Sequence, residues 1–196
     1  MKRFLAILLL IVAACSGSDG DTASRFEGVE YAAPLAKPDF DLVTTSGENY
    51  DFGSETDGKL TILYFGYTYC PDICPVHLAQ LDAVFEKLPE VRRNSVVLFV
   101  TVDPERDTPD RLEQWVGGFN PDFVALTGTT EQLAAAQEAV GVAVAFKVGE
   151  DDDYTMAHAG QVFAYAPDGF AYTVYPFGTR QTEWVHDLPL LLEMTG

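Results

Sequence analysis

Residues Lys59–Leu88 read "KLTILYFGYTYCPDICPVHLAQLDAVFEKL". The opening run, Leu60 to Tyr67, is almost wholly apolar and rich in β-branched and aromatic residues, as in strands covered on both faces. After Pro75 the apolar positions Leu78, Leu81, Val84, Phe85 and Leu88 follow helical spacing. Proline suits the first helical position, where the amide it lacks has no partner. Cys70 and Cys74 lie between strand and helix, each followed by a proline. A strand feeding a helix puts this pair at the strand's carboxyl end, where open α/β sheets bind ligands.

Ahead of this stretch, Phe40–Phe52 predicts two short strands around a Ser46-Gly47 turn. Ser95–Asp103, "SVVLFVTVD", predicts a second buried strand. Thr108 and Pro109 open one helix, and Thr129 to Gly141 spans another with glycine at its close. Between them, "DFVALTG" predicts a short strand. Val142–Gly160 reads as a strand, an acidic loop and the approach to a further strand. Gln161–Tyr175 predicts a hairpin around Pro167-Asp168-Gly169. Thr179–Met194 predicts a last helix, with Pro189 kinking or breaking it. Strands alternating with helices and ending in a hairpin predict an α/β thioredoxin-like fold: a mixed central sheet flanked by helices, with an added N-terminal hairpin and a late β-hairpin.

The chain start, "MKRFLAILLLIVAACSGSDG", has two cations and then an apolar run too short to span a membrane. It has the pattern of an export signal. Val12-Ala13-Ala14-Cys15 resembles a bacterial lipobox, which implies cleavage after residue 14 and lipidation of Cys15. The expected organisation is a signal peptide over 1–14, a lipid-anchored tether over 15–35 and one domain over 36–196. That places the domain outside the cytoplasm in the bacterial cell envelope, where disulfides persist.

The chain has 196 residues, 47% of them hydrophobic, enough for one packed core. Its formal charge of −18 excludes nucleic acid as a natural partner. It suits a basic partner or a cationic cargo.

With Cys15 lipidated, Cys70 and Cys74 are the two remaining cysteines. A disulfide closing so short a loop stabilises little. A dedicated dithiol is the stronger reading. Cys74 beside the helix start predicts a thiolate favoured by the helix N-terminus, with a lowered pKa. Two thiolates suit Cu(I) first and Zn(II) second. A stable site wants a third donor. His77 is close in sequence, three residues past Cys74, but a ring there can point along the helix rather than at the sulfurs. His158, in a loop entering a sheet strand, can reach the turn from the side. His186 lies in the last helix. Met156 offers a thioether or simple packing. Residues 149–154, "GEDDDY", offer a basic partner or copper an acidic loop, or are only a solvated turn.

Three stretches together, "GYTYCPDICPVHLAQL", "VTVDPERDTPDRL" and "HAGQVFAYAPDG", resemble the Sco/SenC family of thioredoxin-like copper chaperones. The resemblance runs from about residue 33 to the C-terminus. It implies a copper site of Cys70, Cys74 and His158, for Cu(I) and also Cu(II). It also implies a role in metallating the dinuclear copper centre of cytochrome c oxidase, with that enzyme's copper-bearing subunit or another copper protein as partner. Asp103 then influences the site or the docking of the partner. The alternative reading of Asp103 is a helix-leading turn residue, with Pro104 and Thr108 setting the geometry. Arg106 and Asp107 are expected to pair locally and structure that loop. Tyr69 stands where many relatives have histidine. The reading is of a metallochaperone rather than an enzyme. The alternative function is a thiol–disulfide reductase, which uses Cys70 and Cys74 and needs neither copper nor His158.

Overall fold

The computed structural model describes residues 24–150 and 153–195. The expected signal peptide, the lipobox Cys15 and the middle of the acidic loop lie outside the described residues.

The described chain opens with β1 (Val29–Ala36), β2 (Asp41–Thr44), β3 (Asn49–Asp51), the short α1 (Phe52–Glu55) and β4 (Leu60–Gly66). Then come α2 (Ile73–Lys87), α3 (Pro89–Arg93), β5 (Ser95–Thr101), α4 (Pro109–Gly117), β6 (Val124–Thr127) and α5 (Thr130–Val140). The chain ends with β7 (Phe146–Glu150), β8 (Asp153–Ala157), β9 (Val162–Tyr165), β10 (Phe170–Tyr175) and α6 (Gln181–Leu192). Eight strands form one mixed sheet in the order β1-β10-β9-β4-β5-β6-β2-β3. β4, β5 and β6 are parallel neighbours, and β9 pairs antiparallel with β4. This is the expected thioredoxin-like arrangement.

All seven residues of β4 are buried, which explains its unbroken apolar sequence. The helix ends follow the local signals. Thr108 and Thr129 accept from backbone N–H groups of Arg111 and Gln132, and Gly141 closes α5 at φ 83°. Gly169 turns the late hairpin at φ 86°.

Some elements depart from expectation. Residues 29–35, expected within the tether, form most of β1, paired antiparallel with β10. This edge strand is largely exposed, so it carries no apolar alternation, and Pro34 falls where its register shifts. Just before it, Phe26 is buried against the core, and the Asp187 carboxylate of α6 accepts from the backbone N–H groups of Glu27 and Gly28. The acidic loop joins β7 and β8 into a separate two-stranded sheet, so the approach to β9 is itself a strand. Pro189 sits inside α6 without ending it. It lies near the last turn, so few helical bonds depend on it.

Candidate metal centre

The parallel pair β4–β5 ends in register at Gly66 and Thr101. Beyond that edge the chain turns through Tyr67–Asp72 into α2. Gly66 makes the turn feasible. A Cβ there would stand 2.8 Å from the Phe99 ring and 3.0 Å from Cys74 Sγ, so any side chain would push α2 away from the strand. The turn is then clamped by Asp107. Its buried carboxylate accepts from the Thr68 backbone N–H (3.0 Å), the Thr68 hydroxyl (2.6 Å) and the Thr101 hydroxyl (2.7 Å). Arg111 Nε donates to the same Thr68 hydroxyl at 2.5 Å.

Helix α2 has no side-chain oxygen capping its start. The Cys70 sulfur takes that place, accepting from the Cys74 N–H at 3.4 Å. Pro75 is the third helical residue rather than the first.

Cys70, Cys74 and His158 converge, with one donor atom from each lying within 4.8 Å of the others. Cys74 Sγ stands 3.9 Å from His158 Nε2. His158 Nδ1 lies 2.9 Å from its neighbour's carbonyl, that of Ala159. A carbonyl only accepts, so Nδ1 carries the proton and Nε2 turns its lone pair to the sulfurs. Such a bond on the far nitrogen is what orients a metal-binding imidazole. Bonds of about 2.3 Å in a trigonal site set donors about 4 Å apart. The trio would close on an ion by drawing in less than about 1 Å. Two soft sulfurs with one imidazole suit Cu(I) by donor chemistry. Cys74 is fully buried, and Tyr64 Oη donates to its sulfur at 3.3 Å. His158 borders an open groove of about 440 Å³ that also touches Val144 and Phe146, which gives the centre its outward side.

The two thiols divide their protons in the opposite sense to the expectation. A hydrogen bond from Cys74 holds Cys70 well below the ordinary thiol value, against the opposing effect of burial, with help from His158 and nearby backbone N–H groups. Burial, together with the bond to Cys70, pushes Cys74 up. The helix N-terminus therefore serves Cys70, not Cys74. Iodoacetamide should modify Cys70 almost selectively, at a rate nearly flat from pH 6 to 8. An ordinary thiol rises about tenfold per pH unit below its pKa of about 8.5. Peptide mass spectrometry across that range checks both the site and the slope.

The other sequence candidates fall elsewhere. His77 is buried rather than on the helix surface, and its Nε2 bonds the Gly160 carbonyl at 3.1 Å. Burial holds its pKa below the usual histidine value, so the ring is neutral at pH 7. His186 bonds Asp187 at 2.7 Å on α6. Met156 packs half-buried against the core from β8.

Asp103 is buried two residues past the end of β5, bound by Arg106 Nε at 2.6 Å and by the Tyr154 hydroxyl at 2.8 Å. Arg106 also donates to the Tyr154 carbonyl and lies over that ring. This cluster fastens the β7–β8 hairpin, and so the approach to His158, to the sheet edge. The expected Arg106–Asp107 pair does not form. Arg106 binds Asp103, while Asp107 binds Thr68 and Thr101. Tyr69 is exposed, with the guanidinium of Arg111 3.9 Å from its ring centre and that of Arg106 at 4.8 Å.

Sequence reasoning missed the anchoring parts played by His77 and Asp107. Neither carries a local signal, because each bonds a segment distant in the chain.

A family model described as SCO1/SenC matches residues 29–193. An SCO2-like protein of Rickettsia felis is 36% identical over 132 residues, covering 66% of this chain and 63% of that relative. Apo Sco1 of Thermus thermophilus is similar in structure, with a TM-score of 0.76 at 31% identity, over 87% of this chain and 99% of that one. ScoI of Bradyrhizobium japonicum, solved with copper bound, gives 0.71 at 30% identity, over 81% of this chain and 100% of that one. The chain spans 63–66% of the length of the first curated relatives it matches.

Proposed function

The chain belongs to the SCO1/SenC family, and from that premise we propose that it binds copper at Cys70, Cys74 and His158. It delivers the ion to, or prepares, the dinuclear copper centre of cytochrome c oxidase or of another copper protein. The observation that carries this reading is the convergence of two sulfurs and one correctly oriented imidazole within 4.8 Å. Copper is cargo in this scheme, and its transfer is ligand exchange. His158, the least buried of the three, is the donor a partner's ligands can displace first, while the more deeply buried Cys70 and Cys74 hold the ion from below. The protein acts at the outer face of a membrane through lipid on Cys15. Among the described residues no helix is long and apolar enough to cross a bilayer.

Anaerobic copper titration of the soluble domain against a chromophoric competitor tests the site. His158→Ala should weaken Cu(I) binding at least about tenfold, roughly 1.4 kcal/mol. It should also change the Cu(II) paramagnetic spectrum through loss of nitrogen coordination. A variant that titrates like the wild type removes the third ligand from the proposal.

A second reading is favoured by the lowered pKa of Cys70. Its thiolate attacks a partner's disulfide, and Cys74 resolves the mixed disulfide, leaving the partner reduced and the Cys70–Cys74 pair oxidised. Slow exchange with small disulfides, beside tight copper binding, would count against it.

A further inference from the structure

The dithiol and the third donor belong to different parts of the chain, and one side chain joins those parts. His77 lies on α2 one turn beyond Cys74, and its Nε2 reaches the Gly160 carbonyl, two residues past His158. The accepting atom is a carbonyl, so Nε2 must carry the proton. That leaves the ring no lone pair facing this loop, and His77 is not among the converging donors. The ring is gripped on both sides. Tyr64, which donates to Cys74, lies 4.9 Å away by ring centres, and Phe177 meets it edge-on at 5.8 Å. Gly160 also rests against the first residue of α2. A Cβ there would come 3.3 Å from the end of the Ile73 side chain.

We infer that His77 is a positioning residue: it latches the His158–Gly160 loop to the helix that carries Cys74, so that the imidazole donor is in place before an ion arrives. The inference rests on the copper-site reading for its effect on affinity, but the latch itself is a property of the metal-free protein. Without it, His158 would belong to a loop free to move away from the sulfurs, and binding would have to order that loop.

The test compares wild type, His77→Phe, His77→Gln, His158→Ala and the double variant His77→Phe with His158→Ala. Phenylalanine keeps the aromatic contacts and removes the N–H donor, and glutamine restores a donor. In the reduced apoprotein, hydrogen exchange by mass spectrometry over residues 158–161 should speed up at least about tenfold in His77→Phe and largely recover in His77→Gln. Cu(I) affinity should fall about tenfold in His77→Phe, the lower range for a partner that orients a ligand. It should fall no further when the change is added to His158→Ala.

Unchanged exchange and affinity in His77→Phe would overturn the latch. So would an equal loss in the His158→Ala background, because the ring would then act by another route. Should His77→Phe fail to fold, nitrogen-15 spectra of the wild-type ring decide: a ring protonated on Nδ1 alone rules out the bond to Gly160. If His158→Ala keeps full copper affinity while the exchange result holds, the copper-site reading fails and the latch stands.

Discussion

Replacing Cys74 with serine should lower Cu(I) affinity on the order of a thousandfold, about 4 kcal/mol, with little loss of folding stability. Cys74 supplies the more deeply buried sulfur of the trio, beside both His158 and Tyr64. Serine is close to it in shape, and both neighbours can hydrogen-bond its hydroxyl, so the helix start should survive. The hydroxyl is a hard donor that stays protonated at neutral pH, which suits Cu(I) poorly. Cys70 and His158 would be left as the remaining pair. Anaerobic competition titration reads the affinity, and thermal unfolding of the apoprotein reads the fold. Retained affinity would remove Cys74 from the site. The same variant separates the two functional readings, because a reductase lacking its resolving thiol should trap a mixed disulfide on Cys70.

Asp107→Ala should destabilise the domain by about 3 kcal/mol and loosen the cysteine turn. It strips the acceptor from the Thr68 N–H, the Thr68 hydroxyl and the Thr101 hydroxyl, all in a buried setting. Each buried donor left without a partner costs about 1–3 kcal/mol. Hydroxyls can rotate to other acceptors, which keeps the sum near the lower end. For a domain of this size the midpoint temperature should fall by roughly 6–12 °C. Asp107→Asn should cost less. Burial raises the pKa of this carboxyl, opposed by the Thr68 and Thr101 bonds, so removing the charge relieves part of the penalty while one oxygen still accepts. A raised folded-state pKa means the protonated form is relatively favoured in the fold. The contribution of Asp107 to stability is therefore greatest below the ordinary carboxylate range and declines as pH rises through the folded-state pKa. Denaturant unfolding of wild type and Asp107→Asn between pH 3 and 7 should show the wild type losing ground to the variant as pH rises.

The central strand, the dithiol turn and α2 were legible in the sequence because their signals are local: a buried apolar run, paired X-Pro steps and helical spacing. Thr108, Thr129 and Gly141 marked helix ends for the same reason. β1 was not legible, since an exposed edge strand is held by backbone pairing to β10 and leaves little side-chain pattern. The pairing assigned to Arg106 and Asp107 failed because adjacency suggested one partner and tertiary geometry supplied others. For Cys74, helix position gave one sign for the pKa and burial gave the other. Burial prevailed because the side chain is wholly enclosed. The hidden part of the candidate site is its support, where His77 and Asp107 reach segments far along the chain.

The distance in sequence between the donors bears on when a metal can be captured. His158 follows Cys74 by 84 residues. Bringing such separated points together in an unfolded chain costs about 4 kcal/mol of loop-closure entropy. A newly made chain carries its two thiols early, but offers the imidazole beside them only once β9 has docked against β4. Strong capture is thereby reserved for the finished fold, and an ion bound there stabilises it by mass action. On the copper-site reading, metal occupancy would then act as a proofreading signal, reporting that folding is complete.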